Sequence, residues 1–233
     1  MIAQLITDTK NRGIKGGTGA DMIIGPDFIW LHFPKCAGTT LELVLRDLLQ
    51  GRPAIEFDDI DDVSGRWHHT IAARQAADPS FDPSGKRVFA CIRRLPSWIM
   101  SMVIFEATRN EHLVATREMI IRGQCFDGTY VNSADDYMDL FNMDVHHWLR
   151  TEHLAADVAK AFDLQQADVA DALIRYRSNV TPPYIRNTEF WFTEEDLSTL
   201  YANNPLWASV EDRVYGGHTP ASLLRSLVDP LVS

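Results

Sequence analysis

The chain has 233 residues and a formal net charge of −10, from 32 acidic and 22 basic side chains. This charge argues against a protein whose main role is to hold DNA, RNA or another polyanion, because such binding needs a basic surface. It leaves room for a small anion held in a local pocket. The length favours one domain over residues 1–233 with a single sizeable core.

The three cysteines, Cys36, Cys91 and Cys125, lack the close pairing of a disulfide framework and the Cys-x-x-Cys spacing of a metal site. This favours a reducing compartment. No apolar stretch approaches the ~18 residues that a membrane span needs, and the N-terminus lacks a signal-type apolar run. We therefore expect a cytoplasmic protein with no integral membrane segment.

Residues 1–22 are predicted to be a flexible N-terminal arm, because residues 10–20 are polar and rich in glycine. A phosphate-binding loop is the alternative for those glycines, although no strand precedes them. The apolar run 28–33 then predicts a buried strand that ends at Pro34. A helix follows, with leucine and valine side chains at helical spacing between Leu41 and Leu49.

Further along the chain, a short strand is predicted at 54–57 and a clearer one at 87–92, followed by a helix that opens at Pro96. Later segments are predicted to be helical. Ser133 and Thr193 resemble N-caps, and apolar residues from Tyr137 to Trp148 recur on one helical face. The pattern predicts an α/β fold with an open, mostly parallel sheet, flanking helices and a helical C-terminal half.

The segment between the first predicted strand and its helix has the composition of an anion-binding loop. Open α/β sheets bind ligands at this edge, where the N–H groups and dipole of a helix N-terminus favour an anion. Lys35 can add a charge, Gly38 a close approach of the backbone, and Thr39 and Thr40 hydroxyl donors. The order is not that of a Walker A motif, in which the lysine follows the last glycine.

Residues 32–40, His-Phe-Pro-Lys-Cys-Ala-Gly-Thr-Thr, resemble the 5′-phosphosulfate loop of sulfotransferases that use 3′-phosphoadenosine 5′-phosphosulfate (PAPS). The resemblance implies a P-loop NTPase-like sulfotransferase fold. It also implies that Lys35 binds the donor and stabilises charge on the bridging oxygen. The cofactor-binding residues implied in this loop are Lys35, Cys36, Ala37, Gly38, Thr39 and Thr40.

A second motif of that family places an arginine at the end of a later strand, with a serine eight residues on, and both hold the 3′-phosphate. Arg93 and Ser101 match this pattern. Two positions depart from it: the proline is at residue 96 rather than 95, and Trp98 stands where many members carry a second arginine. The resemblance therefore covers about residues 28–105.

Sulfuryl transfer to a hydroxyl needs a base, and histidine is suited to that role near neutral pH. The family carries a histidine between the two motifs, which implies that His68 is the base, with His69 as the competing choice and Thr70 as an orienting group. No metal site is predicted, since adjacent histidines rarely share a zinc ion. Cys36 is either a reactive thiol or, as is more common, a small packed side chain.

The function implied is transfer of a sulfuryl group from PAPS to a hydroxyl by in-line displacement, with 3′,5′-ADP as product. Two alternatives stay open: an ATP-dependent P-loop kinase-like phosphotransferase, and a non-catalytic nucleotide-binding or interaction protein of the same fold. The acidic charge disfavours heparin-like acceptors and nucleic acid. It leaves a small molecule, a neutral glycan or a lipid headgroup as acceptor. The sequence does not fix the oligomeric state.

Overall fold

The computed structural model describes residues 20–59, 70–110, 112, 114–127, 130–177 and 184–217. They form an α/β fold around a five-stranded sheet. The two remaining strands form a separate two-stranded ribbon. In chain order the strands are β1 (Ala20–Ile24), β2 (Phe28–Leu31), β3 (Glu56–Asp59), β4 (Arg87–Ile92), β5 (Gln124–Asp127), β6 (Tyr130–Ser133) and β7 (His147–Arg150).

The large sheet is mixed, with a parallel centre. Its strand order is β3-β1-β2-β4-β7. β2 pairs in parallel with β4, and β4 pairs in parallel with β7. β1 is antiparallel to both β2 and β3. The expected open sheet is present, and the antiparallel strand β1 makes it mixed rather than uniformly parallel.

Helices occupy most of the remaining described chain, and every regular element after β7 is helical in those residues. The helices are α1 (Gly38–Leu48), α2 (Ile71–Ala77), α3 (Leu95–Arg109), α4 (Arg117–Ile121), α5 (Ala134–Asn142), α6 (Leu154–Phe162), α7 (Gln166–Arg175), α8 (Thr188–Trp191), α9 (Glu194–Asn203) and α10 (Pro205–Tyr215). Within the described ranges, none of them is both long and apolar enough to cross a bilayer.

Aromatic side chains show that helices cover both faces of the sheet. Phe28, on β2, meets Phe162 of α6 edge to face at 5.1 Å. Phe33, two residues after β2, meets Phe141 of α5 at 5.1 Å and Trp207 of α10 at 5.7 Å. His147 of β7 stacks on Phe89, which also contacts Phe162, whereas the next residue, Trp148, contacts Phe33. Because successive side chains of a strand alternate between faces, these two groups of contacts lie on opposite sides of the sheet.

Two predicted helix starts are confirmed in detail. The Ser133 hydroxyl accepts a hydrogen bond from the Asp136 N–H at 3.1 Å, and the Asp136 carboxylate accepts one from the Ser133 N–H. Thr193 and Asp196 form the same reciprocal capping box at the start of α9. Each box satisfies two N–H groups that a helix N-terminus otherwise leaves without partners.

Other predicted boundaries need correction. The strand predicted at 28–33 ends at Leu31, the strand predicted at 54–57 runs from Glu56 to Asp59, and residues 20–22 of the predicted arm belong to β1. The helical face predicted to continue to Trp148 is wrong: α5 ends at Asn142, and Trp148 lies in β7, paired with Ala90. Residues 1–19 lie outside the described residues.

Candidate functional site

The loop between β2 and α1 has an unusual backbone. Lys35 and Ala37 have φ of 57° and 63°, in the left-handed region. For a residue with a side chain this conformation costs roughly 1–2 kcal/mol. Two such residues within three positions mark a strained turn, and strain of this kind clusters at ligand-binding sites.

The N-terminus of α1 has no side-chain cap. Ala37 is its N-cap and has no side chain that could cap the helix, and the first turn contains no acidic residue. Thr39 and Thr40 lie half-buried in that turn. The N–H groups of the first turn and the helix dipole therefore favour a negative charge placed against this end.

Gly38 is required by packing as well as by any ligand. A Cβ built at this position would lie 1.9 Å from Cδ2 and 2.0 Å from Nε2 of His32. His32 itself is buried, at 7% exposure, just after β2. Gly38, which the sequence predicts to allow the close approach of an anion, is also needed for the close contact with the His32 imidazole.

The Lys35 ammonium lies in a partly desolvated setting. Its Nζ is 3.7 Å from the centroid of the Phe105 ring, and Arg109 places its guanidinium carbon 5.0 Å from the same centroid. Burial, followed by the positive charge of Arg93, lowers the pKa of Lys35 from 10.5 to about 8, and Glu106 opposes that change. Within the described ranges, no carboxylate forms an ion pair with Lys35, so its charge is left for a ligand.

The adjacent arginines after β4 have different surroundings. Arg94 donates from Nη1 to Oε1 of the fully buried Glu211 at 3.0 Å and lies 4.0 Å over the Tyr215 ring. The other Glu211 oxygen accepts the Leu95 N–H at 3.0 Å, which caps α3. Arg93 is half-buried and makes no side-chain hydrogen bond or ion pair with the described residues. Of the two arginines, Arg93 is therefore the one whose guanidinium the described residues do not engage.

Cys36 is a packed residue. Its side chain is fully buried, and burial raises the pKa of its thiol well above the usual range. A buried, protonated thiol is a poor nucleophile. Of the two interpretations of Cys36 the structure supports the packed one, and a ligand would meet this residue through its main chain.

α3 brings the second motif against the loop. The indole Nε1 of Trp98 donates to the Pro34 carbonyl at 3.0 Å in a buried contact. Ser101 and Phe105 follow three and seven residues later, on the same face of the helix. Ser101 is only 1% exposed, which leaves its hydroxyl less accessible than the charged groups of Lys35 and Arg93.

The predicted base lies outside the described residues, because His68 and His69 both fall in the gap before Thr70. Thr70 caps α2, where its Oγ1 accepts the Ala73 N–H at 3.1 Å. Among the residues that the structure covers, no cluster of three His, Cys, Asp or Glu side chains could hold a metal ion. His146 uses its Nδ1 to accept the Val88 N–H.

Sequence reasoning missed three contributors to this site: Trp98 as a loop contact, Phe105 and Arg109. The signal available was their helical spacing on α3, with Phe105 seven residues after Trp98 and Arg109 four residues after Phe105. That spacing places them near one face but does not indicate that the face meets the loop.

Comparison of the chain with protein-family models, with curated proteins and with solved structures finds no match in any of the three.

Proposed function

We propose that the protein is a sulfotransferase that moves a sulfuryl group from PAPS to a hydroxyl of a small-molecule, neutral glycan or lipid acceptor. The observation that carries the proposal is the placement of Lys35. Its ammonium has no ion-pair partner in the described ranges and lies against Phe105, within the electrostatic reach of Arg93, on the loop that leads into the uncapped start of α1.

The described residues suit an anionic donor. A strained turn precedes the N–H groups of α1, and the positive charges of Arg93 and Arg109 act on Lys35, with the charge of Glu106 opposing them. This local excess of positive charge occurs in a chain whose net charge is −10. Backbone N–H groups together with a lysine and an arginine are the usual means of holding phosphate-like groups.

Each residue has a distinct proposed role. Lys35 and the main chain of residues 36–40 would hold the 5′-phosphosulfate, while Arg93, with Ser101, would hold the 3′-phosphate. PAPS, when bound, would supply the sulfuryl group that is transferred, and its 5′-phosphate would leave as part of 3′,5′-ADP. The Lys35 ammonium would stabilise the charge that develops on the bridging oxygen, as preorganised cations do in such sites.

Proton removal from the acceptor hydroxyl is assigned by resemblance to His68. His68→Ala is expected to keep the affinity for 3′,5′-ADP and to lose sulfuryl transfer, measured with radiolabelled PAPS and a panel of acceptors. Loss of transfer only in His69→Ala would move the base by one residue. Unchanged transfer in both variants would reject a base in this pair.

Calorimetry with 3′,5′-ADP at pH 7 tests the donor site directly. Lys35→Ala and Arg93→Ala are each expected to weaken binding by about tenfold or more, the range for a charged hydrogen bond. Ser101→Ala is expected to weaken it less, because its hydroxyl is buried. Arg213→Ala, an exposed arginine on α10 that bonds to Asn142, is the matched control and should change little.

The pH dependence of binding gives a second criterion. Because Lys35 has a pKa of about 8, it loses its charge at higher pH, and the affinity for 3′,5′-ADP should fall as the pH rises above 8. The Lys35→Ala variant should lack this fall.

The two alternatives predict other results. Binding of Mg-ATP without binding of 3′,5′-ADP would replace the sulfotransferase proposal with the phosphotransferase. Binding of 3′,5′-ADP without transfer to any acceptor would favour the non-catalytic nucleotide-binding protein.

A further inference from the structure

A single hydrogen bond from Trp98 joins α3, which carries the second motif, to the loop between β2 and α1. Its Nε1 donates to the Pro34 carbonyl at 3.0 Å, across 64 residues of sequence. The indole is fully buried, and Pro34 is buried as well. A buried carbonyl that loses its donor keeps the full cost of desolvation, so this contact constrains the loop strongly.

The donor is itself held rigidly. The Trp98 ring lies 4.7 Å from the Trp207 ring and 5.4 Å from the Tyr137 ring, centroid to centroid. Aromatic neighbours on two sides leave the indole little freedom to turn away from Pro34. The position of the loop is therefore determined by α3 and its packing, rather than by β2 and α1 alone.

The same face of α3 also contacts the next residue of the loop. Phe105 lies two helical turns beyond Trp98, and its ring receives the Lys35 ammonium at 3.7 Å. Pro34 and Lys35 are adjacent, so α3 fixes the carbonyl of one residue and the side chain of the next. Between them the backbone enters the left-handed turn at Lys35.

We propose that Trp98 is a positioning residue of the loop: its indole N–H holds the Pro34 carbonyl so that the Lys35 ammonium is set against Phe105 before a ligand arrives. The expectation that this arrangement strengthens anion binding rests on the proposed function. The expectation that Trp98 sets the position of the Lys35 ammonium does not. Trp98 acts through Lys35 and is not itself a catalytic residue.

Trp207 offers a matched control. It is fully buried like Trp98 and stacks on it, but its Nε1 makes no hydrogen bond within the part of the chain described here. Trp207→Phe removes the same atoms from the same cluster and disturbs the ring contact with Phe33, but it removes no hydrogen bond to the loop. The difference between Trp98→Phe and Trp207→Phe therefore isolates the hydrogen bond to Pro34.

The first measurement needs no ligand. The proteins are labelled with acetic anhydride at a series of pH values, and the extent of modification at Lys35 is read by peptide mass spectrometry, with the exposed Lys160 as internal reference. Wild type and Trp207→Phe should show a labelling midpoint near pH 8. In Trp98→Phe the amine gains solvent, and the midpoint should rise by about one pH unit or more toward the ordinary lysine value.

The second measurement is the affinity for 3′,5′-ADP at pH 7. Trp98→Phe is expected to bind about tenfold more weakly than wild type, and Trp207→Phe within about twofold. If wild type binds no 3′,5′-ADP, the proposed function fails, and the labelling experiment still decides the role of Trp98.

Two outcomes of the labelling experiment would overturn the inference: equal midpoints in the two tryptophan variants, or a wild-type midpoint near that of Lys160. If Trp98→Phe fails to fold, Trp98 is replaced with β-(3-benzothienyl)alanine, which keeps the shape of the ring and lacks the N–H donor. The same rise of the Lys35 midpoint is expected, and its absence would equally overturn the inference.

Discussion

Replacing Lys35 with methionine is expected to stabilise the fold at neutral pH, although Lys35 belongs to the candidate site. The ammonium is partly buried against Phe105, and the charges of Arg93 and Arg109 act on it unfavourably. Methionine has a similar length and fills the same space without a charge. Replacing a binding residue can stabilise a fold, because a charge that is kept for binding lowers the stability of the free protein.

The magnitude follows from the change in the pKa of Lys35 from 10.5 to about 8. At about 1.4 kcal/mol for each pH unit, this change corresponds to a cost of roughly 3 kcal/mol. The variant also loses the cation–π contact with Phe105, which offsets the gain by about 0.5–1 kcal/mol. We therefore expect Lys35→Met to raise the free energy of unfolding at pH 7 by about 2 kcal/mol.

The gain should depend on pH with a definite sign. Below pH 8 both the folded and the unfolded chain hold the Lys35 proton, so the full cost is present in wild type. Between pH 8 and 10.5 only the unfolded chain holds it, so the stability of wild type rises relative to the variant. The advantage of Lys35→Met should therefore shrink as the pH rises above 8.

Urea unfolding followed by tryptophan fluorescence at pH 7, 8, 9 and 10 measures this difference. Lys160→Met, which changes an exposed lysine on α6, is the control and should stay within about 0.5 kcal/mol of wild type. A Lys35→Met protein no more stable than wild type at pH 7 would refute the reasoning, as would an advantage that stays constant from pH 8 to 10.

Three further changes test the loop and the start of α3. Gly38→Ala should lower stability by about 2 kcal/mol in thermal unfolding, because its Cβ would overlap His32; an equal loss in a His32→Ala background would contradict this cause. Ala37→Gly should add about 1 kcal/mol in urea unfolding by relieving the φ of 63°, and a decrease would argue against strain. Glu211→Ala should cost about 3–5 kcal/mol by denaturant unfolding, since it leaves Arg94 without its buried partner, and Glu211→Gln should cost less; a negligible loss in Glu211→Ala would contradict that account.

The parts of the fold that follow from local sequence could be predicted. The apolar run before Pro34 and the leucine spacing after it specify β2 and α1, and β4 has the predicted bounds. The capping boxes at Ser133 and Thr193 were also readable, because each depends on residues three positions apart. In these segments the apolar spacing and the capping residues indicate the same element within a few residues of sequence.

Elements that depend on distant partners could not be predicted. β7 forms by pairing with β4 across 58 residues, while its own sequence continues the apolar spacing of a helix. The contact of Trp98 with Pro34 spans 64 residues. Local periodicity indicates which side chains share a face of α3, but the packing that turns this face toward the loop is a tertiary property.

The tandem Arg93–Arg94 shows how an acidic chain can keep a positive site. Two acids lie at this corner: Glu211 binds the Arg94 guanidinium, and Glu152 accepts the Arg94 N–H at 3.2 Å. Both carboxylates are occupied in fixing the start of α3: the charge of Arg94 compensates for that of Glu211, and Glu152 also accepts the Tyr215 hydroxyl. Arg93, with Lys35, can then dominate the field at the edge of the sheet.

The separation of the paired Arg94 from Arg93 and Lys35 limits the size of the anion that the proposed site would favour. Lys35, Arg93 and Arg109 place positive charge around one loop, while the net charge of the chain is −10. A long polyanion would leave this patch and meet a repulsive surface, whereas a nucleotide fits within the reach of three or four cations. These electrostatics agree with the proposed nucleotide donor and disfavour a polyanionic acceptor.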